Sequence, residues 1–349
     1  MTNIPLCKMS GKKDGIRYDF DNEKMQAKIY STGRITGNYV IPSKVNYAGN
    51  DYDIIGIEYS GFSHIEDLIS IEIPKNITTI DGGAIYRCNN LRSIVVAKDN
   101  PIYDSRKGCN AIIETATNRL VCGCSATIIP QDVTCIGSRA FSGSNIENIV
   151  LPSNIQTIED NAFNSCDSLV SVTLSDSLQT IGENAFKWCV KLSKVVIPTN
   201  VWRIGDGAFA YCDSLVSVTL SDSLLIIGED AFRSCNNLSE VILPTNVKYI
   251  GKGAFAYCDS LVSVTLSDSL QTIKKNAFKG CNNLSELIIP ANVKNIEAGA
   301  FADCKNLKKI EIQATTPPAI DETTFEGLSM KIPIIVPKES LEAYKNADC

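Results

Sequence analysis

Apolar residues in this chain follow neither a plain helix period nor a plain strand period over long stretches. They recur as a block. One block reads Ala185-Phe186-Lys187-Trp188-Cys189, then Leu192, Val195, Ile197-Pro198, Val201 and Ile204-Gly205. Its phenylalanine returns at Phe163, Phe186, Phe209, Phe232, Phe255, Phe278 and Phe301, always 23 residues apart. Phe141 lies 22 residues before this run and Phe325 lies 24 after it, while Phe62 and Ile85 are again 23 apart. The segment L-x-x-V-x-I alternates in its last residues, which predicts a short strand with one buried face. The Pro or Ser-Asp that follows ends the strand. The x-I-G and A-F-x-x-C portions are expected to turn the chain back through one helical or 3₁₀ turn.

A 23-residue block cannot bury its own apolar residues, but stacked copies can, each Leu, Val, Ile and Phe packing on its counterpart in the next coil. The period falls in the leucine-rich-repeat range of about 20–29 residues. The expected fold is therefore a single right-handed leucine-rich-repeat solenoid of about ten or eleven coils, with one parallel sheet on one face. Ten rungs at about 4.8 Å give a sheet on the order of 50 Å long.

A second period is superposed. Cys166 to Leu178 recurs unchanged at Cys212 to Leu224 and at Cys258 to Leu270, a period of 46 residues. Two kinds of coil alternate, as after duplication of a pair. Catalytic sites are singular, so a surface copied three times argues for structure or multivalent binding rather than chemistry.

The ends break the pattern. Residues 1–58 lack the repeat and read as a β-rich N-terminal cap, with strands at Arg17–Phe20, Met25–Tyr30, Tyr39–Pro42 and Tyr52–Ile55 and a turn at Asp21-Asn22. The solenoid proper is assigned to residues 59–312. The distance from Ile85 to Phe141 is 56 residues, two periods plus ten, so an insertion sits near residues 97–127. Residues 313–349 form a C-terminal cap with a strand near Ile334 to Val336 and a short helix. Open solenoid ends expose apolar edges and need such covers.

At this point the chain resembles a known family, the BspA-type leucine-rich repeats of anaerobic, host-associated bacteria. The resemblance rests on I-P-x-x-V-x-x-I-G-x-x-A-F-x-x-C-x-x-L, found here from Ile197 through Leu215, and covers roughly residues 55–330. The insertion from Asn100 to Ile113 is similar to a hairpin common in that family, and Ile335 to Tyr344 is similar to its closing segment. The resemblance implies a secreted or surface-displayed protein, in some members an adhesin for host matrix proteins. Met1 to Gly11 contains no apolar core of a signal peptide, so an intracellular repeat scaffold stays open as the alternative.

Composition narrows function by exclusion. A net charge of −6 with a pI of about 5.1 argues against a nucleic-acid binder, which concentrates basic charge. No apolar run approaches the roughly 20 residues of a membrane helix. The single imidazole, His64, leaves little for His-based catalysis or metal binding. No phosphate-binding glycine loop, nucleophile elbow or H-E-x-x-H is present. No enzyme activity, cofactor or metal is expected, and the chain is expected to act as a monomer.

Of the 14 cysteines, Cys88, Cys166, Cys189, Cys212, Cys235, Cys258, Cys281 and Cys304 hold one repeat position, where Ile65 and Ser144 also occur. That predicts a buried ladder of reduced thiols acting as small hydrophobes. Cys122-Gly123-Cys124 is too tight for a zinc knuckle. If Thr115 to Asn118 turn the hairpin symmetrically, Cys109 and Cys124 face each other and could form a disulfide. Asp104-Ser105-Arg106 could be a ligand loop or a turn held by its own side chains. Ser-Asp-Ser at 175–177, 221–223 and 267–269 could be a calcium row or a solvated turn. Sequons at Asn76, Asn237 and Asn283 carry little meaning without a glycosylating host.

The strand face is the leading binding candidate. If Leu, Val and Ile of L-x-x-V-x-I point inward, the residues flanking Val point out. These are Ser171 and Thr173, Lys194 and Val196, Ser217 and Thr219, Glu240 and Ile242, Ser263 and Thr265, and Glu286 and Ile288. Small hydroxyl rungs alternate with rungs carrying one charge and one aliphatic side chain. Such faces are what solenoids offer a protein or glycan partner; equally, β-branched residues merely suit a strand.

Overall fold

A computed structural model describes residues 9–329 and 331–347. Residues 1–8, which hold most of the stretch read for a signal peptide, lie outside the described residues. The chain forms two compact units, one ending at Ile146 and one beginning at Glu147. Both are β-solenoid, about 13 turns in all and with almost no helix. That exceeds the ten or eleven coils expected.

In the first unit the opening strands form a meander. Met9–Lys13 pairs antiparallel with Ile16–Asp21, which pairs antiparallel with Gln26–Ser31. Ile16, Tyr18 and Phe20 alternate inward and are buried. The turn forms at Asp21-Asn22 because the Asp21 carboxylate accepts the backbone N–H groups of Glu23 and Lys24 at 3.1 and 3.0 Å. Gln26–Ser31 then runs parallel to Asn50–Ile57, and Asn50–Ile57 parallel to Thr79–Ile80. A second parallel ladder joins Gly37–Val40, Leu68–Ile73 and Ser93–Val96. The insertion is a hairpin of Ala111–Glu114 and Arg119–Gly123, with Tyr103–Asp104 on its edge.

In the second unit every coil uses the same parts. Three-residue strands run parallel from Asn148–Val150 through Ser171–Thr173 and Lys194–Val196 to Ser217–Thr219. Glu240–Ile242 pairs with Ser263–Thr265, and Glu286–Ile289 with Lys309–Ile312 and Ile334–Ile335. The return leg differs from expectation. It contains no helical turn. Its x-I dipeptides form a second parallel ladder of two-residue strands, from Thr157–Ile158 through Thr180–Ile181, Arg203–Ile204 and Ile226–Ile227 to Tyr249–Ile250. The turn into A-F-x-x-C places Asn161, Asn184, Gly207, Asp230, Gly253, Asn276 and Gly299 at positive φ. These are the residue types that tolerate the left-handed region.

The core is a stack of identical side chains. Phe163, Phe186, Phe209, Phe232, Phe255, Phe278 and Phe301 are fully buried. Successive rings lie 5.0–5.5 Å apart and within 7° of parallel, an offset stack. The backbone N–H groups of Phe163 to Phe278 donate to alanine carbonyls of the following coil, as Phe232 does to Ala254 at 2.7 Å, and that of Phe301 to the Thr324 carbonyl. Beside them the cysteine thiols donate backward: Cys189, Cys212, Cys235, Cys258 and Cys281 each reach the phenylalanine carbonyl of the preceding coil at 3.2 Å. The ladder cysteine is thus both filler and donor. At the C-terminal end the helix Leu341–Lys345 is pinned by the Tyr344 hydroxyl, which donates to the Ala314 carbonyl at 2.8 Å.

Candidate functional site

The alternation that buries Val195, Val241, Val264 and Leu287 turns their neighbours to solvent. All twelve residues expected on the outward face are exposed. The central valines of the hydroxyl coils, Val172 and Val218, are only half-buried, so those rungs sit less deeply than expected.

Strand register sorts the face into columns. In one, Asn148 stands beside Ser171, Ser171 beside Lys194, Lys194 beside Ser217, Glu240 beside Ser263 and Glu286 beside Lys309. The Ser171 hydroxyl donates to the Asn148 side-chain oxygen at 2.6 Å. In the next column Val150 stands beside Thr173, Val196 beside Thr219, Ile242 beside Thr265 and Ile288 beside Glu311. Val150, Val196, Ile242 and Ile288 are 70%, 65%, 60% and 44% exposed. Each recurs two coils on, so methyl groups line this column with threonines between them. Val170, Val216 and Val262, the residues after the buried leucine, add exposed apolar positions that the sequence reading missed, as it did Val150. Aligning the thirteen-residue copies would have found three of them, since each copy carries a valine there.

The other candidates resolve into architecture. Ser175 donates to the Ser153 carbonyl at 2.9 Å and accepts the Ser177 N–H; Ser221 and Ser267 repeat the arrangement. The carbonyls of Asp176, Asp222 and Asp268 accept the amides of Asn200, Asn246 and Asn292 at 2.7–2.9 Å. Ser-Asp-Ser is therefore a turn tied to its neighbours. Among the described residues no three His, Cys, Asp or Glu side chains converge as metal ligands would.

In the insertion, Arg106 grips both carboxylate oxygens of Asp104 at 2.7–2.8 Å and reaches Asn118 at 2.8 Å and Asp132 at 2.9 Å. Hydrogen bonding by Arg106 holds the Asp132 carboxyl below the usual carboxylate range. The Ser105 hydroxyl accepts the Val96 N–H. These groups are spent on holding the loop.

Cys109 and Cys124 are free thiols, bonded to the carbonyls of Ala111 and Asn110. The pairing considered for them is not made in this structure. A bulge between Ile112 and Ile113 shifts the hairpin register by one residue, so Ala111 opposes Gly123 and Cys109 falls out of line with Cys124. Burial pushes the thiols of Cys88 and of the ladder from Cys189 to Cys304 up, to about 12 for Cys258 and Cys304 and about 11 for Cys88. Such thiols are not nucleophiles at neutral pH.

Comparisons with known proteins agree with this geometry. The family described as "BspA type Leucine rich repeat region" matches residues 41–106, 119–239 and 203–331, in six copies. The fold is similar to a leucine-rich cell surface protein from Faecalibacterium prausnitzii, 23% identical over 97% of both chains with a TM-score of 0.50. It is similar to a leucine-rich repeat protein from Eubacterium ventriosum, 20% identical over 83% of this chain and 92% of that one, TM-score 0.56. It also resembles the pneumococcal vaccine antigen PcpA, 19% identical over 96% and 95% of the two chains, TM-score 0.53. A comparison with curated proteins finds no match. Among the described residues no helix is long and apolar enough to cross a membrane.

Proposed function

Since the chain belongs to the BspA-type leucine-rich repeat family, we propose that it is a non-enzymatic binding protein of the cell exterior. Its strand face in the second unit takes a protein partner, in the manner of an adhesin. The observation that carries this reading is the column Val150, Val196, Ile242 and Ile288. These side chains stand in solvent at two-coil intervals, and the threonine coils between them show that the strand forms without large aliphatics there. Apolar positions grouped on one face and rimmed by charge are the mark of an interaction surface. Lys194, Glu240 and Glu286 supply that rim and differ in sign, which suits selection among partners.

The test is a binding panel of immobilised host matrix proteins at physiological salt, read by interferometry. Saturable binding is expected, abolished by Ile242→Glu and kept by Ile128→Glu, a substitution at an exposed isoleucine of the first unit. Binding indifferent to charge at Val196, Ile242 and Ile288 alike refutes the assignment. A cytoplasmic scaffold using the same face is the second reading, favoured by the free thiols of Cys109, Cys124 and the ladder from Cys189 to Cys304. Surface biotinylation of native cells separates the two compartments.

A further inference from the structure

The strand face of the second unit reads alike from either end, except that its charges change sign. Its centre is the rung Ser217–Thr219. One coil to either side of Ser217 stand Lys194 and Glu240, both exposed. Two coils away stand Ser171 and Ser263, and three coils away Asn148 and Glu286. The neighbouring column is centred on Thr219. Val196 and Ile242 flank it, then Thr173 and Thr265, then Val150 and Ile288. The exposed valines before the strands follow the same rule, with Val170 and Val262 two coils to either side of Val216. Among the described residues no ion pair within the chain engages Lys194, Glu240 or Glu286.

We propose that the partner of this face is a second copy of the chain, packed face to face with its coils running the other way. The two-fold axis lies along the strand Ser217–Thr219. The proposal rests on the strand face being a contact surface and names what covers it; the dimer departs from the monomer that the sequence reading expects. An axis in the plane of the interface and along the strands reverses the order of coils and keeps each column opposite itself. Lys194 then meets Glu240 of the second copy, and Glu240 meets its Lys194, as an isologous contact requires. Val196 meets Ile242, Val150 meets Ile288, and threonine meets threonine. The Asn148 side-chain oxygen accepts the Ser171 hydroxyl, which leaves its NH₂ to donate to the Glu286 carboxylate. Valine and threonine are nearly the same size, so the aliphatic column is flat enough for two sheets to pack about 10 Å apart.

Charge selects this register over its neighbours. An axis on the Lys194 rung sets Lys194 against its own copy, and one on the Glu240 rung does the same with Glu240. An axis on the Ser263 rung sets Glu240 against Glu286. An axis between rungs faces each charge with a serine and each aliphatic with a threonine. The Ser217–Thr219 rung pairs Lys194 with Glu240 and sets no like charges together. Seven rungs at about 4.8 Å, in a strip about 15 Å wide, give on the order of 500 Å² per copy. A standard interface takes about 800 Å² per partner, so this one belongs to the weak class. A dissociation constant on the order of tens of micromolar is expected.

The experiment is sedimentation velocity of the full chain at concentrations from well below to well above that constant. The wild-type mass should rise with concentration from 37.9 kDa toward twice that value. Lys194→Glu and Glu240→Lys each set like charges together at both contacts, so each variant alone should associate at least about tenfold more weakly. Mixed together, the two variants should recover the association, because one copy then carries acids at both positions and the other lysines. The double variant Lys194→Glu/Glu240→Lys should associate as wild type does. Sister coils already hold the opposite charge at this repeat position, so these exchanges preserve the fold. A monomer at every concentration overturns the proposal, as do dimers that neither single variant weakens. Single variants that stay monomeric when mixed also overturn it. A monomeric chain that still binds a host protein through Ile242 keeps the strand face as a contact surface and loses only the second copy as its partner.

Discussion

Phe232→Ala removes one ring from the middle of the phenylalanine stack. The side chain is fully buried between Phe209 at 5.3 Å and Phe255 at 5.2 Å. Truncating a buried Phe to Ala costs about 3–5 kcal/mol through lost transfer energy and the cavity left behind. Two stacking contacts are lost with it, each worth about 0.5–1.5 kcal/mol beyond area. The backbone bond from residue 232 to Ala254 survives, so the expected loss is about 5 kcal/mol, at the upper end of the truncation range. Phe232→Leu keeps most of the volume and should cost about 1–2 kcal/mol, roughly the stacking alone. Phe325→Ala is the control: its ring is only half-buried and touches one stacked neighbour, Phe301, at 5.9 Å. In a solenoid each coil is stabilised by its neighbours, so this end position should lose clearly less, about 1–3 kcal/mol. The assay is urea unfolding followed by far-UV circular dichroism. If Phe232→Ala costs under about 2 kcal/mol, or no more than Phe325→Ala, the stack is not the core that the geometry indicates.

Two further outcomes follow from the buried chemistry. Burial raises the ladder thiols from Cys189 to Cys304, Cys258 and Cys304 to about 12, so at pH 8 a thiol reagent should leave Cys189 through Cys304 unmodified in the native protein and titrate all 14 cysteines under denaturant. Rapid native labelling of Cys235 would contradict the ladder. Arg106→Ala should destabilise the first unit by about 2 kcal/mol through its charged hydrogen bonds, measured by thermal unfolding. Asp132 is held below the usual carboxylate range by Arg106. Its contribution is therefore present above the unfolded carboxylate pKa and fades as pH falls through the lowered one. Stability should drop on acidification below about pH 4, with a smaller acid dependence in the Arg106→Ala variant. An unchanged acid limb would show that the pair does not matter.

The phenylalanine spacing made the coils legible because a solenoid buries each residue against its own copy. One invariant position therefore marks every turn. The same logic placed Ser171 through Ile288 outward, since a three-residue strand with a buried centre leaves no other choice. The return leg was harder. A two-residue strand such as Thr180–Ile181 is too short to show alternation, and its partner lies 23 residues away. The hairpin shift at Ile112 was also invisible, because a bulge leaves little trace in a pattern of apolar residues.

Repeats supply their own control, and here it separates fold from function. Positions unchanged from Phe163 to Phe301 and from Cys166 to Cys304 are those that stack on, or donate to, a neighbouring turn. Positions that vary between coils cannot be required by the stack. The hydroxyl coils are copies even at their exposed valines Val170, Val216 and Val262, while the intervening coils change Lys194 to Glu240 and Glu286, and Val196 to Ile242 and Ile288. A partner that read only the copied coils would meet the same surface three times and gain by multivalency. One that read the divergent coils would be selected by charge and side-chain size at single rungs. For the proposed binding, the exposure of Ile242 and the sign change from Lys194 to Glu240 would put discrimination in the divergent coils and avidity in the copies.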